Sequence, residues 1–249
     1  MIIRVLSLKT EKERRDVISR ELLKYKLDFQ FSDGVNGLTV EIPRHPESRI
    51  TSPEAACSLG HLRIYEELIE SNQEWGLIFE DDVTLSHDFG ECFKEIEKEI
   101  FPICNRKSTI ILLGMQKGLR SHHYFVGKVI GRIGERKIFK SYRSTQFLFG
   151  TFGYLINRSA ARKILFLNQD LIYKADDWFN FEKAGALDQI LLLRPGIVLH
   201  PEGTEHSLIH NSRLKNRPNL NSIGKIHSKV AILFRILKFS FRLAASKIF

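Results

Sequence analysis

The first 34 residues carry the feature that most restricts the fold, which is a strand, a helix and a second strand in close succession. The apolar, β-branched run IIRVLSL predicts the first strand. TEKERRDVISRELLKYK predicts a helix with Thr10 as its N-cap and Glu13 completing a capping box. DFQFSDG predicts a second strand that ends at Asp33. This order favours a βαβ unit, and therefore a parallel sheet in an α/β fold.

The following segments continue the alternation of helices and strands. SPEAACSLGHLRIYEELIES predicts a helix capped by Ser52, WGLIF a buried strand, and FGECFKEIEKEIF another helix. STIILLG and TQFLFGTFGYLI predict further strands, and NRSAARKILFLNQ predicts a helix capped by Asn157 or Ser159. Residues 115–145 are polar, basic and dotted with glycine, and they predict an irregular excursion from the sheet.

The buried strand at residues 75–79 leads directly into three carboxylates, Glu80, Asp81 and Asp82. Neighbouring carboxylates repel each other, and desolvating one without a partner is costly. Either water solvates them at the strand end, or a cation binds there. The carboxyl ends of strands are where ligands bind in open α/β sheets. The spacing of Glu80 and Asp82 suits a divalent cation that also holds a diphosphate, but the motif alone leaves both interpretations open.

The positive charge of the chain is concentrated at its C-terminal end. The formal net charge is +9, and nine basic residues but no acidic ones follow Glu205, so residues 1–205 are formally neutral. This distribution argues against a nucleic-acid-binding face on the main domain. Residues 226–249 have apolar side chains at helical spacing and a basic opposite side, which is typical of a helix lying on an anionic bilayer. Packing on the body or on a dimer partner is the alternative.

The cysteine content and the start of the chain bear on the compartment. Cys57, Cys92 and Cys104 fit no zinc-motif spacing and give no disulfide framework, so we expect buried structural thiols. The first residues lack the pattern of a signal peptide, and no apolar run approaches the roughly 20 residues of a membrane-spanning helix. We therefore expect a protein of the reducing cytoplasm.

Four segments, in matching order, resemble glycosyltransferase family 25, which includes bacterial lipooligosaccharide galactosyltransferases. They are VLSLKTEKERR, PEAACSLGHLRIYEEL, GLIFEDDV, and GTFGYLINRSAARKIL with the later ADDWF. The second is similar to the family's Glu-x-x-Cys-x-x-Ser-His helix, and the third to its Leu-Glu-Asp-Asp strand. The resemblance spans about residues 2–210. The chain departs from the pattern at Gly60, where the family has serine, and at Tyr65, where it has tryptophan.

The resemblance implies a GT-A-like architecture, which is a Rossmann-type, mostly parallel sheet flanked by helices, over residues 1–212, followed by the basic amphipathic tail at 213–249. It implies an inverting transfer of galactose or glucose from a UDP-sugar to a lipooligosaccharide or lipopolysaccharide acceptor, with Mn²⁺ or Mg²⁺ as cofactor. Because this acceptor is an anionic glycolipid, we expect the tail to hold the protein on the inner face of the bacterial inner membrane.

On the donor side, the resemblance makes Asp82 the expected metal ligand. Glu80 is expected to be a second ligand or a contact to the donor ribose. Asp33 is placed to accept a hydrogen bond from uracil or ribose, although a plain Asp-Gly turn explains it equally well. Arg14 could reach the base or the diphosphate, or could be a solvated helix residue. Glu54 and His61 share a helix face, and only the resemblance makes them site residues rather than a helix-start acid and a core histidine.

An inverting transfer also needs a base for the acceptor hydroxyl. Asp176 and Asp177 are the candidates, with Asp176 favoured, and one of them could instead be a helix N-cap. Trp178 beside them is expected to stack on the acceptor sugar. His200 and His206 are candidates for a further metal ligand, since imidazole suits Mn²⁺, or are surface histidines.

Two other functions fit the same features. The chain could be another nucleotide-sugar-processing enzyme, for example one that hydrolyses the donor. It could also be a non-catalytic protein that binds a glycolipid or a membrane and has a transferase-like fold.

Overall fold

The architecture is known for residues 1–104, 106–114, 127–141, 146 and 148–200, which a computed structural model describes. They belong to a unit that spans Met1–Gly203. The predicted tail at 213–249 and His206 lie outside the described residues, and the division of the chain at residue 212 stays a prediction.

The elements alternate between strands and helices along most of this unit. The strands are β1 (Ile2–Leu8), β2 (Gln30–Gly34), β3 (Trp75–Glu80), β4 (Thr84–Leu85), β5 (Thr109–Leu112), β6 (Gly127–Ile133), β7 (Arg136–Ser141), β8 (Gly153–Asn157), β9 (Gln189–Arg194) and β10 (Val198–Leu199). The helices are α1 (Lys12–Leu23), α2 (Ser52–Glu70), α3 (Phe89–Glu99), α4 (Phe101–Cys104), α5 (Arg158–Asn168) and α6 (Trp178–Lys183).

The central sheet has eight strands in the order β2-β1-β3-β8-β5-β9-β7-β6. β1 pairs in parallel with both β2 and β3, which confirms the predicted βαβ unit. Among the described strands of this sheet, only β8 and β7 run against the common direction. Most strands of the sheet therefore share one direction, with β8 reversed between β3 and β5 and β7 reversed between β9 and β6.

Helices cover both faces of the sheet, because the side chains of its central strands alternate between two apolar clusters. In β3, Trp75, Leu77 and Phe79 pack in the cluster that includes α1 and α3. Ile78 packs on the other face, in the cluster that includes α2, α5 and α6. A strand buried on both faces gives a continuous apolar run, as WGLIF does. The predicted α/β fold with flanking helices is confirmed.

Residues 127–141 correct the sequence interpretation of an irregular excursion over 115–145. They form the antiparallel hairpin β6–β7, which joins the sheet through β9. Arg136 in β7 makes two hydrogen bonds to the carboxylate of Asp88, the residue before α3, and so fixes the hairpin to that helix. Residues 115–126 lie outside the described part of the chain.

The caps of the first two long helices differ from the prediction. α1 begins at Lys12 after Glu11, whose side chain makes no capping hydrogen bond, so Thr10 is not its cap. α2 is capped by Thr51 rather than by Ser52. The Thr51 side chain accepts from the N–H of Glu54, and the Glu54 carboxylate accepts from the N–H of Thr51 at 2.9 Å. No helix in the described ranges is long and apolar enough to span a bilayer.

Thr51→Ala is expected to lower the free energy of unfolding by about 1 kcal/mol, because the Glu54 N–H loses its acceptor. Thr10→Ala is the matched control, since Thr10 is exposed and lies outside the helix. Its expected effect is within about 0.5 kcal/mol. Denaturant unfolding of both variants measures the difference, and equal losses would contradict the assignment of the cap.

Candidate active site

The strand ends that were predicted to meet do so at one edge of the sheet. In the register of the parallel strands, Ser7 lies opposite Asp33 and Leu6 lies opposite Glu80. The reversed strand β8 begins at the same edge, since Gly153 pairs with Phe79. The loop before β8 therefore also lies at the edge where β2 and β3 end.

Asp81 is held inside the protein. It is 9% exposed, and its carboxylate accepts hydrogen bonds from the Ser7 hydroxyl at 2.6 Å and from the Arg14 guanidinium at 3.0 Å. These contacts fix the end of β3 to the end of β1 and to the start of α1. Asp81 is thus a structural carboxylate whose charge is balanced by Arg14.

Asp82 lies beside two basic groups. His200 Nε2 is 3.2 Å from Asp82 Oδ2, and Arg14 Nη1 is 3.8 Å from the same oxygen. The short antiparallel pair β4–β10 brings His200 close to Asp82, because Leu199, the residue before His200, lies opposite Thr84. The His200 ring packs against Phe152, with ring centroids 4.4 Å apart. The structure therefore places His200 at the site, as one of the two predicted histidines.

Glu80 is partly buried at the tip of β3 and accepts a hydrogen bond from the Thr151 hydroxyl. Burial raises the pKa of Glu80 to about 7, and the negative charges of Asp82 and Asp176 act in the same direction. The Thr151 hydrogen bond and His200 oppose this shift. A carboxyl group in this setting is stabilised as an anion when positive charge arrives beside it.

Asp176 and Asp177 have different surroundings. Asp176 Oδ2 accepts a hydrogen bond from the N–H of Gly150 at 2.8 Å. Gly150 has a φ of +106°, a backbone conformation that favours glycine. Asp177 is the N-cap of α6, where its carboxylate accepts from the N–H of Asn180 at 3.3 Å and from its side-chain amide at 2.8 Å. The predicted N-cap is therefore Asp177, and Asp176 is the carboxylate that adds to the charge around Glu80.

The predicted stacking role of Trp178 is wrong, because its side chain is 0% exposed. In the core, the ring packs edge-on against Tyr154 and at a tilt against Phe181. Two other aromatic side chains near these residues are exposed instead. Phe179 follows Trp178 and is 38% exposed. Phe149 is 46% exposed and precedes Gly150, whose N–H donates to Asp176.

Asp33 is held by the helix that follows β1. Arg15 Nη2 donates to Asp33 Oδ1 at 2.5 Å and to the carbonyl of Ser7 at 2.9 Å. The Arg15 guanidinium also lies 4.6 Å above the ring of Phe31. The hydrogen bond from Arg15 lowers the pKa of Asp33, so this carboxylate is an anion at the open edge of the sheet. The structure thus orients Asp33 by more than an Asp-Gly turn.

Glu54 and His61 have partners within the fold. Glu54 completes the α2 capping box and pairs with Lys174 Nζ at 2.8 Å. His61 is 1% exposed, and its Nδ1 lies 2.7 Å from the Tyr154 hydroxyl. Tyr65, at the position where the family has tryptophan, adds its hydroxyl to this chain of hydrogen bonds at 2.8 Å from Tyr154. Burial lowers the pKa of His61 to about 3, so the imidazole is neutral.

Gly60 is the other departure from the family pattern. A Cβ at this position would lie 2.7 Å from Leu6 Cδ1, so Leu6 fills the space that a serine side chain needs. A serine at this position would require the Leu6 side chain to move.

The side chains at this edge offer ligand atoms of the kinds that bind a divalent cation. Glu80 and Asp82 offer carboxylate oxygens, and His200 offers an imidazole nitrogen beside Asp82. Oxygen ligands suit Mg²⁺ and Mn²⁺, and imidazole is compatible with Mn²⁺. Sequence reasoning missed Ser7 and Thr151, which hold Asp81 and Glu80, because neither lies in an acidic motif.

In open α/β sheets, ligands bind in the crevice at the carboxyl ends of the strands, which is where these acidic groups lie. Residues 1–179 match the sequence model of glycosyltransferase family 25, which carries the description LPS biosynthesis protein. The chain belongs to glycosyltransferase family 25.

Individual relatives agree with this membership. A Haemophilus influenzae protein whose name assigns it provisionally to the glycosyltransferases is 26% identical over 230 residues, which cover 84% of this chain and 75% of that protein. The lipooligosaccharide biosynthesis protein lic2B of Haemophilus influenzae is 23% identical over 64% of this chain and 60% of its own length. A human protein named procollagen galactosyltransferase 2 is 31% identical over 34% of this chain and 16% of its own length.

Among solved structures, a glycosyltransferase involved in glycosylation of the major capsid of PBCV-1 matches 86% of this chain and 100% of its own chain, with 10% identity and a TM-score of 0.47.

Proposed function

We propose that the protein is an inverting, metal-dependent transferase of GT-A architecture that moves galactose or glucose from a UDP-sugar to a lipooligosaccharide or lipopolysaccharide acceptor. The supporting observation is that Glu80, Asp82 and His200 lie together at the carboxyl edge of the sheet. The Asp176 carboxylate is also close enough for its charge to raise the pKa of Glu80. The relative named for lipooligosaccharide biosynthesis supports the acceptor class.

On the donor side, the proposal gives each polar group a role. Asp33, oriented by Arg15, accepts a hydrogen bond from the ribose or the uracil. Arg14, which lies between Asp81 and Asp82, offers positive charge to the diphosphate. Electrostatic groups that are fixed before the reaction act without reorganisation when charge develops on the leaving group.

The metal ligands in this proposal are Asp82 and Glu80, with His200 as the third. When bound, Mn²⁺ or Mg²⁺ supplies positive charge that offsets the charge developing on the departing nucleoside diphosphate. The protein's own contribution is to hold the ligands in place, through Thr151 at Glu80 and through the β4–β10 pairing at His200.

On the acceptor side, Asp176 takes the proton of the attacking hydroxyl. One of its oxygens is fixed by the Gly150 N–H, so the carboxylate has a defined orientation. The exposed rings of Phe149, which precedes Gly150, and Phe179, which follows Trp178, offer apolar surface to the acceptor sugar. In this proposal they replace Trp178, which was expected to stack on the acceptor sugar.

The basic tail, which lies outside the described residues, is proposed to bind the anionic inner face of the bacterial inner membrane, where a glycolipid acceptor would be presented. Each cation near such a surface contributes about 1 kcal/mol. Flotation of the full chain with anionic vesicles, compared with zwitterionic ones, tests this contact.

Incubation with a panel of UDP-sugars, Mn²⁺ and a truncated lipooligosaccharide is expected to release UDP with one hexose donor and to add one hexose to the acceptor. UDP release is measured by a coupled assay and the product by mass spectrometry. The anomeric configuration of the new linkage, determined by NMR, tests inversion.

Three outcomes would contradict the proposal. Unchanged transfer in the presence of a chelator would show that transfer does not depend on a metal. UDP release without a glycosylated product would indicate a donor hydrolase. Binding of the glycolipid with no metal-dependent affinity for UDP would indicate a non-catalytic binding protein.

A further inference from the structure

Three potential metal ligands cluster at the end of β3. The proposed transfer uses only one of them, Glu80. The three are Cys57, His61 and Glu80, whose ligand atoms all lie within 4.8 Å of one another. Cys57 and His61 are four residues apart on α2 and therefore share one face of that helix. Glu80 reaches them from the end of β3.

The two ring nitrogens of His61 differ in a way that points to a ligand. Nδ1 is hydrogen-bonded to the Tyr154 hydroxyl, whereas Nε2 is buried and has no hydrogen-bond partner among the described residues. A buried polar atom without a hydrogen-bond partner is energetically unfavourable. With the proton on Nδ1, His61 donates a hydrogen bond to the Tyr154 hydroxyl. The lone pair of Nε2 is then available to a ligand. Metal-binding histidines almost always have their other nitrogen engaged in such a hydrogen bond.

We propose that Cys57, His61 and Glu80 form a binding site for Zn²⁺, separate from the Mn²⁺ or Mg²⁺ site proposed at Asp82. Thiolate sulfur, imidazole nitrogen and carboxylate oxygen are the three ligand types that zinc takes in proteins, and three protein ligands leave a fourth position for water. Cys57 is partly exposed, which gives an ion access, while Cys92 and Cys104 are buried. The Cys57 thiol loses its proton on binding.

Zinc at this site has a consequence for catalysis that rests on the proposed function. Glu80 belongs to both sites, and a carboxylate that binds zinc beside Cys57 is withdrawn from the ion at Asp82. Zn²⁺ is therefore an inhibitor of transfer, acting through a thiol that the transfer reaction itself does not need.

Titration of the full-length protein with Co²⁺, under a non-thiol reductant, tests the site without any sugar nucleotide. We expect one equivalent to give a thiolate-to-cobalt charge-transfer band, and added Zn²⁺ to remove it. Cys57→Ser abolishes the band and weakens Zn²⁺ binding by at least about tenfold. Cys92→Ser, a buried thiol on α3, is the matched control and keeps both. Asp82→Asn also keeps the band, since Asp82 is not a ligand here.

A wild-type protein without the band, or a Cys57→Ser variant that retains it, would overturn the site. These results are independent of whether the protein transfers a hexose. In the transfer assay, Zn²⁺ is expected to inhibit the wild type at concentrations at least about tenfold lower than those that inhibit Cys57→Ser. Equal inhibition of the two would overturn the shared use of Glu80.

Discussion

Replacing Asp82 by asparagine is expected to lower kcat for hexose transfer by about a thousandfold, which corresponds to about 4 kcal/mol. The amide keeps the size of the side chain but removes the charge that, in our proposal, binds the cation at the end of β3. The affinity for Mn²⁺ should fall together with kcat. Initial rates at saturating donor and calorimetric titration with Mn²⁺ in the presence of UDP measure the two effects.

Glu97→Gln is the matched control for Asp82→Asn, because it removes one negative charge from an exposed position on α3. It should leave kcat and Mn²⁺ affinity within twofold of the wild type. Circular dichroism shows whether each variant is folded. An Asp82→Asn protein that is folded, binds Mn²⁺ normally and transfers hexose at nearly the wild-type rate would contradict the role of Asp82.

The second large effect is expected at Asp176. Asp176→Asn should lower kcat by about 10²–10⁴-fold, the usual contribution of a general base. The amide oxygen of asparagine can still accept the hydrogen bond from Gly150, so the loop before β8 should keep its conformation. The KM for the donor should change little, because the proton is taken from the acceptor. Steady-state kinetics with both substrates varied separates these effects.

The matched control for Asp176→Asn is Asp177→Asn, the same substitution at the adjacent residue. Asparagine is as good an N-cap as aspartate, so α6 should keep its start and kcat should stay near that of the wild type. If Asp177→Asn lost the activity and Asp176→Asn kept it, the two roles would be reversed. If neither lost it, the base would lie elsewhere.

The sequence predicted the parts of the fold that depend on short-range pattern. The βαβ start, the buried strand before Glu80 and the helix over Arg158–Asn168 are present with bounds close to those predicted. Parallel strands have their carboxyl ends at the same edge, and for that reason Asp33, Glu80 and Asp82 could be predicted to lie near one another.

The direction of β8 could not be predicted in this way. Its residues are buried on both faces of the sheet, and an apolar run without alternation does not distinguish a parallel strand from an antiparallel one. Because β8 is reversed, its first residues rather than its last lie at the acidic edge. Thr151 and Gly150 therefore contact Glu80 and Asp176, and no local motif indicated either contact.

The error at Trp178 has a similar origin. The side of a short helix that faces the core depends on the angle at which it packs, and six residues give too little periodicity to show it. Trp178 and Phe181, three residues apart, both face the core, which leaves Phe179 exposed. The sequence predicted an exposed aromatic side chain beside Asp176 and Asp177, but the exposed one is Phe179 and not Trp178.

The central claim is that a divalent cation binds at Asp82 together with the donor diphosphate. Anomalous diffraction from crystals grown with Mn²⁺ and UDP measures this directly. The account predicts a manganese peak within coordination distance of the Asp82 carboxylate and of a diphosphate oxygen. A bound UDP with no manganese beside Asp82, or with the metal held by other side chains, would contradict it.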